Sequence, residues 1–207
     1  MDERSRAFGR RAAGDIGTHA TRALAAAALI LTVLAGMWLL EAVDLLIGGQ
    51  LDHYGIRARD PGDLPEIFTA PFLHGNFDHL IANTIPFAAL GFLAALRGIG
   101  KFLAMNLIVI VIGGLGVWFT GPPNSETLGA SILVFGYFGY LLGRGVFERH
   151  LFDLLVAVGV VVLYGGIVYG VFPSDPRISW QGHLFGLIGG LVAAFLLRRR
   201  DRGGLTR

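Results

Sequence analysis

Long apolar runs separated by short polar connections constrain the fold of this chain more than any other feature. Its 207 residues contain six such runs, with lengths near the roughly 20 residues that a helix needs to cross a bilayer. The runs cover residues 23–47, 77–96, 102–120, 128–142, 151–172 and 180–197. Hydrophobic residues make up 54% of the chain and charged residues only 15%, which excludes an ordinary soluble domain. We therefore predict an all-α membrane protein, a bundle of six transmembrane helices.

The basic residues fall mainly in alternate connections between these runs. Of the 17 Lys and Arg residues, 14 lie in the N-terminal segment, the connections after the second and fourth runs, and the C-terminal tail. The remaining three are Arg57, Arg59 and Arg177. Lys and Arg accumulate on the cytoplasmic side of membrane proteins. The pattern predicts a basic cytoplasmic segment at 1–22, a membrane domain at 23–197 and a basic cytoplasmic tail at 198–207, without a role in binding nucleic acid.

Two of the outer connections differ in character. The connection at 48–77 mixes glycine, proline, aromatic and charged residues, so we predict a structured loop outside the membrane. The connection at 172–179 contains Pro173 and Pro176, which disfavour a helix. We expect this second connection to act as a mobile cap over a polar cavity that opens outward.

Four polar side chains lie near the outer ends of the second, fourth and sixth predicted helices. His79 lies about two positions into its helix, while Ser131 and His183 each lie about three positions into theirs. A helix rises about 1.5 Å per residue, so these three lie at similar depth. Asn83 lies one turn below His79 on the same face. Taken singly, each residue could serve only helix packing, whereas their convergence favours a functional site.

Helices four and six each carry a candidate residue on a face that also holds glycine. The two faces consist of Ser131, Phe135 and Gly139 in helix four and of His183, Gly186 and Gly190 in helix six. Small residues at such spacing let the backbones of neighbouring helices approach closely. If these faces meet, Ser131 approaches His183 and Phe135 packs near the imidazole.

This set of side chains could carry out nucleophilic acyl transfer. A serine hydroxyl needs an adjacent base, and a neutral His183 imidazole is suited to that role for Ser131. His79 and Asn83, together with the Ser131 N–H at a helix start, could donate hydrogen bonds to the tetrahedral oxyanion. No acid lies near this depth in helices four or six, so we predict a Ser–His dyad without a third carboxylate.

This chemistry requires no cofactor. No metal is expected either, because His79 and His183 lack the third and fourth ligands that a zinc site requires. The chain contains no cysteine, which excludes a thiol nucleophile, a thiolate metal site and a disulfide framework.

Three sequence segments contain these residues together with regularly spaced neighbours. They are His74-Gly-Asn-Phe-Asp-His79-Leu-Ile-Ala-Asn83, Gly129-Ala130-Ser131 and Gly182-His183-Leu-Phe-Gly186-Leu-Ile-Gly-Gly190. In this order they resemble the H-x4-H-x3-N, G-x-S and H-x2-G-x3-G patterns of the rhomboid family of intramembrane serine proteases. By this resemblance Ser131 is the nucleophile, His183 the general base, and His79 and Asn83 the oxyanion donors.

The resemblance covers residues 65–197 and implies the six-helix bacterial form of the family. It implies a multi-pass protein of the bacterial inner membrane that cleaves transmembrane protein substrates in the lipid bilayer, near its outer face. Three departures predict narrower specificity or lower activity. Ile132 follows the serine where the family has glycine and could crowd the site, Phe135 replaces a tyrosine, and a Trp-Arg pair is missing from residues 48–72.

Two other functions are open at this point. A rhomboid-like protein without catalytic activity could bind or escort transmembrane clients, although such a protein would tolerate loss of the serine or histidine and this chain keeps both. A transporter could use the polar residues as a relay, although the sequence shows neither an internal repeat nor paired broken helices. Labelling with a serine-directed probe would separate a protease from both.

Overall fold

The computed structural model describes residues 3–123, 125–148, 150–173, 175 and 178–198, with side chains from residue 17 onward. Apart from Arg198, the predicted tail at 198–207 therefore lies outside the described residues. The same is true of Met1 and Asp2 in the predicted N-terminal segment and of Pro176 in the predicted cap.

Within the described residues, the fold consists of six α-helices. They are α1 (Glu3–Leu46), α2 (Phe77–Ala95), α3 (Ile99–Thr120), α4 (Ser131–Glu148), α5 (Leu151–Tyr164) and α6 (Trp180–Leu196). By length and composition, the stretches able to cross a membrane are Gly17–Leu46, Phe77–Ala95, Ile99–Thr120 and Leu151–Val171, and α6 is apolar but shorter. The mostly helical fold with apolar spans is thus confirmed, whereas the count of six spans and the side of each terminus stay predictions.

The start of α4 differs from the sequence prediction. A helix from Leu128 was expected, but α4 begins at Ser131, so the serine is the first helical residue and not about the third. Gly129 has a φ of 126°, and its N–H donates to the Ala70 carbonyl oxygen at 2.9 Å. A backbone with positive φ does not continue a right-handed helix, so residues 128–130 form a turn.

Three helices also differ from their predictions by more than three residues at one end, and α3 begins three residues earlier than predicted, at Ile99. α1 continues through the basic N-terminal segment, and α4 continues past residue 142 to Glu148. α5 ends at Tyr164, where a helix to residue 172 was expected, and the chain goes on as the 3-10 helix Gly165–Val171. Glycine has low helix propensity, so the two glycines at 165 and 166 favour this change.

α4 forms the centre of the bundle and packs against α2, α3, α5 and α6. Its most extensive contact is with α6, where glycines let the two backbones approach. A Cβ at Gly190 of α6 would lie 2.0 Å from a carbonyl oxygen of α4, and one at Gly186 would lie 2.4 Å from another. A Cβ at Gly139 of α4 would lie 2.4 Å from a carbonyl oxygen of α6. The glycine-bearing faces of the two helices therefore meet.

The loop between α1 and α2 is structured, as predicted. It contains the 3-10 helices Gln50–Tyr54, Pro61–Phe68 and Ala70–Phe72 and a short strand, β1 (Ile56–Arg57). β1 pairs antiparallel with β2 (Glu126–Thr127), which lies just before α4. The loop is thereby joined to the segment that leads into Ser131.

Buried ion pairs join α2, α4 and α5 at the end of the bundle away from Ser131. Asp153 of α5 binds Arg144 of α4 and also Arg97, which follows α2. Glu148 binds Arg97 as well. Buried charges are tolerated when they are paired, so this cluster can hold three helix ends together without an isolated charge.

Candidate active site

A cavity of about 930 Å³ lies where α2, α4 and α6 begin. Ser131, His79 and His183 all belong to its wall. The described part of the predicted cap contributes Pro173, Asp175, Ile178 and Ser179, and none of these residues is in a helix. Three of the four predicted site residues therefore line one cavity.

Ser131 lies at the N-terminus of α4. The first N–H groups of an α-helix have no partner within the helix, and the helix dipole gives this end a positive potential. An oxyanion formed beside Ser131 would be stabilised by both effects. Ser131 is the first helical residue, so its own N–H is one of these groups.

His183 is nearly buried and is fixed by two contacts. Its Nδ1 lies 2.8 Å from the Gly170 carbonyl oxygen. A carbonyl oxygen only accepts, so in the neutral ring Nδ1 carries the proton and Nε2 keeps its lone pair. The ring also stacks on Phe135, with centroids 4.1 Å apart and an interplanar angle of 9°. His183 is thus held in the tautomer that leaves Nε2 free to accept a proton.

Gly170 was not identified from the sequence. It lies in the 3-10 helix after α5, and a Cβ there would lie 2.8 Å from Nδ1 of His183 and 3.0 Å from Cζ of Phe135. A side chain at this position would displace one of the two rings. The sequence carries no signal for the contact, because Gly170 is one of 31 glycines and the contact depends on how the chain folds back after α5.

His79 lies in the first turn of α2. The side chain of Asn76 caps this helix by accepting from the His79 N–H at 2.9 Å. The imidazole lies against the turn before α4, since a Cβ at Gly129 would be 2.6 Å from its Cε1 and 2.8 Å from its Nε2. Gly129 is therefore required both for its positive φ and for the space that it leaves to His79.

Asn83 lies one turn below His79 and is buried. Its Nδ2 donates to the His79 carbonyl oxygen at 3.0 Å. The Asn83 side chain is not among the described residues that line the cavity. An amide nitrogen carries two N–H groups, so one of them remains for a further acceptor. Asn83 therefore lies one turn from His79 and is engaged with its own helix.

Ile132, which could have crowded the site, points away from it. The side chain is 1% exposed and is not in the cavity wall of the described structure. It fills space left by glycines, since a Cβ at Gly113 of α3 would lie 2.5 Å from its Cγ2 and one at Gly182 of α6 would lie 3.1 Å from its Cγ1. The larger residue after the serine is accommodated between helices, and it does not narrow the cavity.

Among the residues that the structure describes, the Asp and Glu side chains in the cavity wall are Asp52, Asp78, Glu126 and Asp175, and no Lys or Arg joins them. Burial, together with the charges of Asp44 and Glu126, raises the pKa of Asp52. The partner of Nδ1 in His183 is a backbone carbonyl and not one of these carboxylates. Nowhere in the described part of the chain do three or more His, Asp or Glu side chains cluster closely enough to hold a metal ion.

Comparisons with known proteins identify the class. Residues 61–200 match the family model described as a Rhomboid domain. "Uncharacterized protein Rv1337" from Mycobacterium tuberculosis is 41% identical over 181 residues, which cover 84% of this chain and 75% of that protein. "Uncharacterized protein ML1171" from Mycobacterium leprae is also 41% identical over 181 residues, which cover 84% of this chain and 72% of that protein. "Putative rhomboid protease YdcA" from Bacillus subtilis is 29% identical over 143 residues, which cover 68% and 71%.

The apolar helices and the bundle around α4 define a multi-pass helical membrane protein. The match to the Rhomboid domain covers well over half of the chain and includes all four predicted site residues. The chain belongs to the rhomboid family.

Proposed function

We propose that this protein is an intramembrane serine endopeptidase that cleaves transmembrane segments near the outer face of a bacterial inner membrane. Membership of the rhomboid family supports the class of enzyme. One observation supports the residues: His183 is held through Nδ1 and stacked on Phe135 in the same cavity that contains Ser131. Nε2 of His183 is then the base for Ser131, and the two residues form a dyad.

The reaction begins with attack by Ser131 on the scissile peptide. Nε2 of His183 takes the hydroxyl proton as Oγ bonds to the carbonyl carbon. The carbonyl oxygen becomes an oxyanion, and the N–H of Ser131, with His79 and Asn83, donates hydrogen bonds to it. His183 then gives the proton to the leaving amine, the C–N bond breaks, and an acyl-enzyme remains.

Water completes the reaction. It loses a proton to Nε2 of His183 as its oxygen attacks the acyl carbon. His183 then returns this proton to Oγ as the ester bond breaks, which restores Ser131 and releases a carboxylic acid that ionises in water. In a triad, an acid orients the imidazole and stabilises its charged form. Here the Gly170 carbonyl orients the imidazole, but it offers the charged ring a dipole in place of a carboxylate charge. The dyad therefore depends more than a triad does on the fixed position of the ring.

Access for water and substrate comes from the outer end of the bundle. The helix starts that surround the cavity lie at the end that the basic residues predict to be external. The described residues of the connection after α5, such as Pro173 and Ile178, line the cavity, and in this proposal the connection moves to admit the substrate. Six spans with both termini in the cytoplasm complete this arrangement.

A fluorophosphonate probe tests the assignment directly, because it reacts with activated serines. We expect wild-type protein in detergent to be labelled at Ser131, as located by mass spectrometry, and Ser131→Ala and His183→Ala to lose the label. Ser125 is a matched control, since it also lies in the cavity wall, with its hydroxyl donating to the Pro122 carbonyl. Ser125→Ala should label like wild type.

The same experiment separates the proposal from the alternatives. Equal labelling of wild-type and folded Ser131→Ala protein would exclude Ser131 as the nucleophile. A folded wild-type protein that is not labelled and does not cleave, but that retains a transmembrane client on purification, would be a rhomboid-like binding protein and not a protease.

A further inference from the structure

His74 lies in the loop just before α2 and has no role in the reaction described above. It is 3% exposed, and its Nε2 accepts a hydrogen bond from the Ala130 N–H at 3.3 Å. Ala130 directly precedes Ser131. A ring nitrogen that accepts must be unprotonated, so the proton of the neutral His74 ring is on Nδ1.

The other ring nitrogen of His74, Nδ1, makes no hydrogen bond to the described residues. This nitrogen is also buried. An unpaired buried polar group is unfavourable, so packing alone would favour an apolar side chain at this position. The specific feature of the histidine is therefore the acceptor at Nε2.

The turn before Ser131 is held at three places. Two contacts join backbones: the β1–β2 pair, and the bond from the Gly129 N–H to the loop before α2. The third, from the Ala130 N–H, ends on the His74 side chain. It is the contact nearest to the serine in sequence, and a substitution can remove it without changing the main chain.

His74 also contacts the proposed oxyanion donor. Its ring meets that of His79 edge to face, with centroids 5.1 Å apart and an interplanar angle of 72°. His79 in turn lies against Gly129. The buried ring of His74 thus contacts both the turn before Ser131 and the side chain of His79.

We propose that His74 is a positioning residue: its Nε2 fixes the Ala130 N–H and so the place of Ser131, while its ring fixes that of His79. This inference rests on the proposed function. His74 is 3% exposed and its accepting nitrogen is already bonded to the Ala130 N–H, so we assign it no contact with the substrate. Its loss therefore lowers kcat and leaves KM nearly unchanged.

Two polar substitutions of different reach test this role. Gln at position 74 carries its amide oxygen about as far from the backbone as Nε2, whereas the shorter Asn reaches only about as far as Nδ1. We expect His74→Gln to keep kcat within a few-fold of wild type. His74→Asn and the apolar His74→Leu should lose kcat on the order of 10²-fold, the effect of a displacement near 1 Å in a catalytic group.

The readouts are kcat and KM for a transmembrane substrate in proteoliposomes and the rate of fluorophosphonate labelling of Ser131, each per folded molecule. Equal kcat in His74→Asn, His74→Leu and wild type would overturn the positioning role and leave the protease assignment intact. Failure of the assignment itself looks different, because wild-type protein would then show neither Ser131 labelling nor cleavage.

A measurement on the wild-type protein tests the bond between His74 and Ala130 directly. Nitrogen-15 NMR of labelled histidine distinguishes a protonated from an unprotonated ring nitrogen, and His74→Gln assigns the signal. We expect His74 at neutral pH to carry its proton on Nδ1. A proton on Nε2 would contradict the proposal, because that nitrogen could not then accept from Ala130.

Discussion

Glycines next to the two candidate catalytic rings decide, residue by residue, whether the site can form. Gly129 leaves room for His79, and Gly170 leaves room for both His183 and Phe135. Phe135 lacks the hydroxyl of the tyrosine common in the family, yet it stacks on the imidazole with its full ring face. Phe135 therefore provides a contact that orients the base without the hydroxyl.

The four predicted site residues should differ in the effect of replacement by alanine. Ser131→Ala and His183→Ala should each abolish proteolysis, and the double variant should be no worse, because nucleophile and base act as one unit. His79→Ala and Asn83→Ala each remove one oxyanion donor, which lowers kcat by about 10²–10³-fold. The measurement is cleavage of a transmembrane substrate per folded molecule.

A packing variant provides the control for this ranking. Gly186→Val places its Cβ about 2.4 Å from the Ile132 carbonyl oxygen, so it should lower thermal stability in detergent. If the four polar residues served only packing, their alanine variants would lose stability in the same way. Folded Ser131→Ala protein with wild-type cleavage would refute the catalytic ranking.

His74 should make the stability of the protein depend on pH. Burial, with a smaller contribution from the nearby His79, lowers the pKa of His74 from 6.5 to about 4. Between these values the unfolded chain binds a proton that the folded protein does not, so stability falls as pH decreases from about 6.5 towards 4. The slope from this one group is at most about 1.4 kcal/mol per pH unit.

His74→Gln isolates this contribution, since glutamine does not titrate. The free energy of unfolding should be measured in detergent for wild type and His74→Gln from pH 7 to pH 4. The value for wild type minus that for His74→Gln should decrease as the pH falls, because only the unfolded wild-type chain binds a proton at position 74 in this range. A difference that stays constant over this range would mean that His74 is protonated equally in the folded and unfolded states.

At the scale of helices and turns, the sequence predicted what depends on local composition. The apolar runs place α2, α3 and α6 within about three residues of their observed bounds, because helix length and burial follow from the run itself. The predicted start of α4 was wrong, because the turn before this helix depends on a hydrogen bond from the Gly129 N–H to a loop about 60 residues earlier. The contacts made by His74 and Gly170 also join distant parts of the chain, so no local pattern indicates them.

The junction of α3, α4 and α6 is the clearest case of packing between elements. Gly113→Ala brings a Cβ to about 2.5 Å from Cγ2 of Ile132, and such overpacking costs about 1–3 kcal/mol of unfolding free energy. Ile132→Ala removes the clashing atom and leaves a cavity. In that background, Gly113→Ala should be neutral or stabilising, as measured by reversible unfolding in detergent.

A second glycine serves as the matched control for this cycle. Gly159 lies inside α5, and a Cβ there would have nothing within 4 Å. Gly159→Ala should therefore be neutral or stabilising in both backgrounds. If Gly113→Ala cost the same with and without the Ile132 side chain, the clash would not be the cause.

In the whole molecule, the two ends of the bundle differ in charge. The end with the cavity carries acidic side chains in its wall, among them Asp52 and Asp78. The opposite end carries Arg97 and Arg144 in buried ion pairs with Asp153. Lys and Arg bias orientation even when acids are nearby, since the rule does not follow net charge. The paired arginines therefore still favour a cytoplasmic position for that end.

Cysteine accessibility tests this orientation, because the chain has no native cysteine. Two histidines form a matched pair: His53, whose side chain is 70% exposed, lies in the loop after α1, and the exposed His150 lies between α4 and α5. A membrane-impermeant maleimide should label His53→Cys in intact cells but label His150→Cys only after permeabilisation. Both variants should first be shown to cleave substrate. The reverse pattern would place the cavity, and with it the proposed cleavage, at the cytoplasmic face.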